Sequence, residues 1–354
     1  MIQVRSFAKI NLGLCIGAAR ANGFHELRTV YQTIALHDVI AVGVTRGSGI
    51  EIRCADSRVP SGEANTCYRI AERVMSTLGA KGRVVIDIQK RLPVQGGLGG
   101  ASSNAVAVLL GLERVLKKSL SGPERLRMAA EVGSDLPLFL VGGTTLGVGR
   151  GEEVYPLPDL PSTACVIVAP EIGVSTPQAF RDWDEAIEAE LRSAAQVGPS
   201  DFAQDKPGPT SSRNAHAAKL TRSHTSDRMN EFGRRVSSWL SGFAQTTGKV
   251  TSGVPAGGRG RAETPLLDLV RTGIENDFEK VVFPKYPELR EIKRVLQAAG
   301  AFYASLSGSG STVYGLFGTR EQAEKAAARL TRQDVPAQVT TTLPRQQYWR
   351  KFLV

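Results

Sequence analysis

The stretch Pro93-Val94-Gln95-Gly96-Gly97-Leu98-Gly99-Gly100-Ala101-Ser102-Ser103-Asn104-Ala105 places four glycines within five residues and then runs into small residues that open a helix. Glycine lets the backbone turn tightly and approach a ligand closely. The first N–H groups of a helix lack intrahelical acceptors and carry partial positive charge, which suits them to an anion. A glycine-rich turn feeding a helix start therefore reads as a phosphate cradle, where a plain turn would need fewer glycines. The spacing is not GxxxxGK(S/T), and no GxGxxG follows a strand, so neither the P-loop nor the dinucleotide fingerprint accounts for it.

Working outward, Val84–Ile88 reads as a short strand that leads through Lys90-Arg91-Leu92-Pro93 into the loop, and Ser102–Leu116 reads as the helix that leaves it. Val106, Leu109, Leu110 and Leu116 are its packing positions, and Ser102 or Ser103 is suited to cap its first turn. Asn65–Leu78 has apolar residues every fourth position at Ile70, Val74 and Leu78, a helical face. Segment 1–53 alternates strand-like runs (Ile2–Val4, Lys9–Ile16, Thr29–Ile34, Val39–Val44, Ile50–Ile52) with turns at Asn22-Gly23 and Gly47-Ser48-Gly49, and so predicts an antiparallel sheet. Pro123–Val132 reads as a further helix, ahead of Gly133-Ser134-Asp135-Leu136-Pro137.

Pro156, Pro158 and Pro161 mark a domain boundary, giving an N-terminal domain over 1–158 and a C-terminal one over 159–354. In the second, Ala164–Ala169, Tyr303–Ser307, Thr312–Phe317 and Ala337–Thr341 read as strands. Trp183–Ala195, Leu266–Gly273, Pro287–Ala299 and Arg320–Leu330 read as helices. The layout is that of an α+β sandwich. Residues 196–260, rich in Ser, Thr, Gly, Pro and Arg, predict a disordered or decorative insertion. Within it Met229, Phe232, Val236, Leu240 and Phe243 recur at spacings of three or four and allow a short helix over 227–244.

A chain of 354 residues is long enough for two domains with a cleft between them. Its composition, 22% charged and 42% hydrophobic, is that of a folded protein. The formal charge of +10 raises nucleic acid, anionic membrane or phosphorylated substrate as partners. Residues 190–262 hold eleven Lys and Arg against five Asp and Glu, so six of the ten excess charges lie in one polar stretch. With no recognition-helix signature and no basic run interleaved with aromatics, nucleic acid is not expected. Cys15, Cys54, Cys67 and Cys165 lack CxxC spacing and sit among apolar or small neighbours, as buried thiols do. With neither a signal-peptide pattern nor an apolar run of spanning length, a cytoplasmic protein off the membrane is expected, as monomer or homodimer.

Two further segments complete the pattern: Phe7-Ala8-Lys9-Ile10-Asn11-Leu12 near the start and Leu306-Ser307-Gly308-Ser309-Gly310-Ser311-Thr312 near the end. Alone, each reads as a strand lysine or a flexible Gly-Ser turn. With the glycine loop, and in this order, they resemble the kinase superfamily named for galactokinase, homoserine kinase, mevalonate kinase and phosphomevalonate kinase. The intervening Asn22-Gly23-Phe24-His25-Glu26-Leu27, Gly133–Leu140, Gly147-Val148-Gly149-Arg150-Gly151-Glu152, Ser175-Thr176-Pro177 and Glu275-Asn276-Asp277-Phe278-Glu279 are similar to the branch acting on a cytidine-diphosphate-linked methylerythritol. The match spans about 1–190 and 263–330.

The resemblance implies a two-domain α+β small-molecule kinase fold, with an N-terminal ribosomal-protein-S5-like domain, a C-terminal ferredoxin-like α/β sandwich and the active site between them. It implies ATP and Mg2+ as cofactors, with the metal ligands unassigned, and transfer of a phosphoryl group to the 2-hydroxyl of the small-molecule acceptor. Asp135 is the implied base and Lys9 its neighbouring cation, which favours carboxylate ionisation and stabilises developing charge. Asn11 is expected to bind substrate, Phe24 and Phe180 to stack on the cytosine, and His25 to read its edge. Asn65, Lys90, Pro93, Gly96, Gly97, Leu98, Gly99, Gly100, Ala101, Ser102 and Ser103 are expected around ATP, with Ser307, Gly308, Ser309 and Gly310 near the active site.

The sequence departs from the family pattern in the 196–260 stretch, in Phe24 where Tyr is usual, and in Gln95 and Ala101 where glycine is common. Two other readings stay open: a sister kinase acting on homoserine or a mevalonate derivative, and a non-catalytic ligand sensor on the same fold. The Phe24-His25 pair argues against the first, and the intact Lys9 and Asp135 against the second.

Overall fold

The computed structural model describes residues 1–196, 225–241, 268–270 and 272–354. The separate N-terminal runs fuse into two long strands, β1 (Ile2–Ala19) and β2 (His25–Thr45), joined by a turn in which Gly23 has φ 79°. They pair antiparallel, with irregularities in register between Phe7 and Ala8, Asn11 and Gly13, and Ile16 and Ala19. Each bulge interrupts the two-residue period, so an alternation count splits one strand into several.

β2 also pairs with β5 (Thr144–Val148) at Thr29–Gln32 and with β4 (Arg83–Gln89) at Val39–Thr45. β3 (Ile50–Cys54) lies parallel to β4, an exception to the antiparallel expectation, and β6 (Glu153–Pro156) borders β5. On this sheet lie α1 (Thr66–Thr77), α2 (Gly100–Leu116), α3 (Gly122–Val132) and α4 (Leu136–Val141). α2 is buried at almost every position from Ser103 to Glu113, so it is the central helix of that layer. Ser121 and Glu124 close a capping box at the start of α3, fixing where it begins.

The second sheet runs β10-β7-β9-β8, from β7 (Ala164–Val168), β8 (Tyr303–Leu306), β9 (Val313–Phe317) and β10 (Ala337–Thr341). Helices Thr176–Gln196, Glu279–Lys285, Pro287–Ala298 and Arg320–Thr331 contribute to its core. A third apolar cluster joins the two layers: Ala8, Ile10 and Leu12 of β1 meet Cys165, Ile167, Tyr314 and Leu316 of the second sheet. The middle of β1 is therefore held at the junction, with the Tyr314 hydroxyl donating to the Asn11 carbonyl at 2.7 Å.

The short helix allowed over 227–244 is present over 225–241, where the expectation of a disordered insertion is corrected; Phe243 and the remainder of 196–260 lie outside the described residues, apart from the end of the preceding helix. Met229, Phe232, Val236 and Trp239 are buried in the joining cluster. Burying Met229, Phe232 and Val236 contributes about 1.5–3 kcal/mol for each side chain. Arg28 donates to the Met229 carbonyl, and Arg228 pairs with the buried Asp277. This helix belongs to the core.

Two helices carry no clear periodic signal in the sequence. Glu279–Lys285 contains Pro284, and Arg345–Phe352 is mostly polar. The latter returns to the first layer, where Tyr348 and Phe352 join its core and the Tyr348 hydroxyl donates to the Phe139 carbonyl at 2.7 Å. All four cysteines are unpaired; Cys15, Cys67 and Cys165 are buried and Cys54 partly so. No helix among the described residues is long and apolar enough to cross a membrane.

Candidate active site

Lys9 projects from the middle of β1 and is 3% exposed, so its ammonium needs partners within the protein. Its Nζ donates to Asn11 Oδ1 at 2.6 Å and stands 3.5 Å from Asp135 Oδ2. Asn11 is fixed in turn, its Nδ2 donating to Thr29 Oγ1 at 2.8 Å and Thr29 donating to the Gly13 carbonyl at 2.7 Å. Asp135 occupies the N-cap position of α4, and its side chain is one-third exposed. It is thus anchored on one side and open on the other. The hydroxyl of Tyr31, absent from the sequence reading, donates to Asp135 Oδ1 at 3.1 Å. Burial, then the negative charge of Asp135, push the Tyr31 hydroxyl well above its ordinary range, so it stays protonated as a donor.

The glycine loop is locked against this centre. The Lys9 N–H donates to the Leu98 carbonyl at 3.0 Å. Gly97 and Gly99 have φ of 75° and 69°, a left-handed backbone that glycine adopts without penalty. A Cβ on Gly97 would stand 2.2 Å from the Ser307 carbonyl oxygen. Ser307 Oγ donates to the Gly97 carbonyl at 3.0 Å and the Thr312 N–H to the Gly96 carbonyl at 3.2 Å. Asn276 Nδ2 donates to the carbonyls of Leu306 and Gly308, each at 2.8 Å. A Cβ on Gly308 would lie 3.6 Å from both Lys9 Nζ and Asn11 Oδ1. Ser309 Oγ is 2.7 Å from Thr176 Oγ1. The Gly310 backbone abuts Leu306 and Val174. The three sequence segments therefore meet at one place.

On its other side the loop borders a cleft of about 350 Å³ lined by Asn65, Lys90, Pro93, Gly96, Gly97, Leu98, Gly99, Gly100, Ala101 and Ser102. Ser103 is the exception. The N-cap of α2 is Gly99, and neither serine caps the helix, which begins earlier than the sequence predicts. Ser103 faces inward, 2% exposed, and accepts from Ser6 Oγ at 2.6 Å. Asn65 is the N-cap of α1, accepting from the Cys67 N–H. Lys90 Nζ is 2.7 Å from Asp38 Oδ2, and this fully buried carboxylate also accepts from Arg91 N, Leu92 N and Asn104 Nδ2. Asp38 braces the entry to the loop, yet a single carboxylate within a strand run gives no sequence signal of that.

At the far end, Phe24 is 49% exposed with the Arg150 guanidinium 4.9 Å above its ring. His25 is buried, its Nε2 is 2.7 Å from Asp184 Oδ1, and its ring stacks on Phe180 at 4.7 Å and 11°. Phe180 meets Phe278 edge-on at 5.0 Å. His25 and Phe180 are together as expected, but as a contact pair without space for a third ring between them, and the outer nitrogen of His25 is engaged by Asp184.

A phosphate-suited loop, a buried lysine beside an accessible carboxylate, and two α+β layers around them define a small-molecule kinase of the GHMP class. Residues 65–143 match the N-terminal domain of GHMP kinases, and residues 263–336 match their C-terminal domain. The chain is 36% identical to the 4-diphosphocytidyl-2-C-methyl-D-erythritol kinase of Solibacter usitatus (strain Ellin6076), over 90% of this chain and 82% of that one. It is 32% identical to the same-named kinase of Desulfitobacterium hafniense (strain Y51), over 97% of both. Its backbone matches a crystal structure of 4-(cytidine 5'-diphospho)-2C-methyl-D-erythritol kinase with a TM-score of 0.65 and 28% identity, over 96% of this chain and 98% of that one. The chain belongs to the 4-diphosphocytidyl-2-C-methyl-D-erythritol kinase family.

Proposed function

We propose that this enzyme transfers the γ-phosphoryl group of ATP to the 2-hydroxyl of 4-(cytidine 5'-diphospho)-2-C-methyl-D-erythritol in the cytoplasmic, mevalonate-independent route to isoprenoid precursors, with Asp135 as base. The observation that carries this reading is the 3.5 Å approach of Lys9 to Asp135 beside the glycine loop. Asp135 takes the proton of the acceptor hydroxyl as that oxygen bonds to the γ-phosphorus. The bond to the β-phosphate oxygen breaks, and ADP leaves. Lys9, held beside that carboxylate, stabilises the charge that develops on transfer.

The N–H groups opening α2, with Gly97, Gly99 and Ser102, hold the nucleotide phosphates. Among the described residues no three of His, Cys, Asp and Glu gather to hold a metal ion. Carried in with the nucleotide, Mg2+ would supply charge neutralisation at the β- and γ-phosphates beside the glycine loop. Phe24, His25 and Phe180 take the cytosine, with His25 leaving the Phe180 ring as the base enters. Division into units at 158/159 fits the proline-rich connection, although the C-terminal helix packs back on the first unit.

Turnover on the cytidine-linked acceptor should exceed that on homoserine or mevalonate by orders of magnitude. Asp135→Asn should lose roughly 100- to 10,000-fold in kcat with unchanged thermal unfolding. Undiminished turnover in that variant would remove the base from the reading.

A further inference from the structure

We propose that Tyr31 is a positioning residue for the phosphoryl-transfer step: its buried hydroxyl fixes Oδ1 of Asp135 and so presents Oδ2 to Lys9 and the acceptor hydroxyl. The inference rests on the reading of Asp135 as the base. Tyr31 is directly opposite Asn11 across the β1–β2 pair and opposite Thr145 across β2–β5. Opposed residues share a face of the sheet, and Lys9, two positions from Asn11, shares it too. Three neighbouring positions on two strands thus aim lysine, amide and phenol at one point. The Lys9 ammonium lies 5.6 Å from the centre of the Tyr31 ring, and the Tyr31 hydroxyl reaches Asp135 Oδ1 at 3.1 Å.

The ring has a slot made for it. A Cβ on Gly147 would stand 2.5 Å from Tyr31 Cε2, and one on Gly151 would stand 2.5 Å from the hydroxyl oxygen. Any larger residue at either position would push the phenol off the carboxylate. Two glycines of the Gly147-Val148-Gly149-Arg150-Gly151 turn therefore have a common purpose, beyond forming the turn itself. For packing alone phenylalanine would serve, since the ring is 2% exposed and the hydroxyl is the only part that reaches Asp135.

An unrestrained carboxylate exchanges its two oxygens by rotation, and a base that must meet one hydroxyl in line with phosphorus loses rate each time it does so. With Oδ1 held from β2 and Oδ2 facing Lys9 from β1, that rotation is blocked. The other charged groups around this pair are Lys9 on β1, and Glu152 and Arg150 in the turn after β5; Glu152 bonds Arg150 and acts on Tyr31 by charge. All three are unchanged in the variant.

The test is Tyr31→Phe, which keeps the ring in its slot. We expect kcat to fall about tenfold, a change of about 1.4 kcal/mol in the barrier, with KM for ATP and for the acceptor within about twofold of wild type. Independently of activity, a crystal structure of Tyr31→Phe should show the Asp135 carboxylate in more than one orientation, where the wild-type enzyme holds one. A carboxylate that keeps its single orientation overturns the inference, and so does a loss carried by KM alone. Asp135→Asn run alongside separates the two levels. If it is inactive while Tyr31→Phe leaves the carboxylate in its single orientation, only the positioning role fails; if it retains turnover, the base assignment fails first.

Discussion

The cleft has two ends, and they are built in different ways. Around Lys9 each functional side chain is held by backbone or by a second buried side chain: Asn11 through Thr29, Asp135 by Lys9 and Tyr31, and the glycine loop by the hydroxyl of Ser307 and the N–H of Thr312. Around Phe24 the groups are half exposed or engaged with one another: Phe24 beneath Arg150, His25 against Phe180 and Asp184. A transition state tolerates little misplacement, so the transfer end benefits from assembly before substrate arrives. A flat base can be received by rings that adjust, because stacking depends weakly on small shifts. The expected consequence is that damage at the first end appears in kcat and damage at the second in KM.

Gly97→Ala offers the largest test of this division. The added methyl would stand 2.2 Å from the Ser307 carbonyl oxygen, on a backbone of φ 75°, so the loop and the C-terminal segment must separate. Strain of about 1–3 kcal/mol is expected from the backbone alone. We expect a drop in thermal midpoint and a loss of kcat of roughly a hundredfold or more, because ATP and Lys9 lose their common support. Wild-type kcat in Gly97→Ala would mean that the interlock is incidental.

Phe180→Ala should have a smaller and different effect. Removing the ring leaves the loop, Lys9 and Asp135 untouched, so KM for the cytidine-linked acceptor should rise about tenfold, with kcat and KM for ATP within about twofold. An equal fall in kcat would show that the two ends are coupled, and the division would fail at that point.

The same contrast explains what the sequence could reveal. The glycine loop was legible because the left-handed turns at Gly97 and Gly99, and the close approach of Ser307, have one economical solution in residue type. Helix α1 was legible from Ile70 and Val74, while the capping role of Asn65 emerged only in the structure. The partnership of Lys9 with Asp135 joins distant parts of the chain, so no local period encodes it; only the resemblance brought it forward. The cap expected from Ser102 or Ser103 was misplaced because α2 starts at Gly100, and Gly99 takes the N-cap position. Tyr31 reads as one more aromatic in a strand, and only the carboxylate it reaches in space sets it apart. The helix over 225–241 shows the reverse case: its apolar period was visible, while the polar composition around it argued for disorder.

The central claim is that Lys9 and Asp135 act as one unit on the transferring group, and a double-mutant cycle tests it most directly. Single-turnover phosphoryl transfer would be measured for Lys9→Met, Asp135→Asn and the double variant, each with folding verified. Groups that work together fail together, so the double variant should be no slower than the slower single variant by more than about threefold. Rate losses that multiply would show two independent contributions and contradict the account.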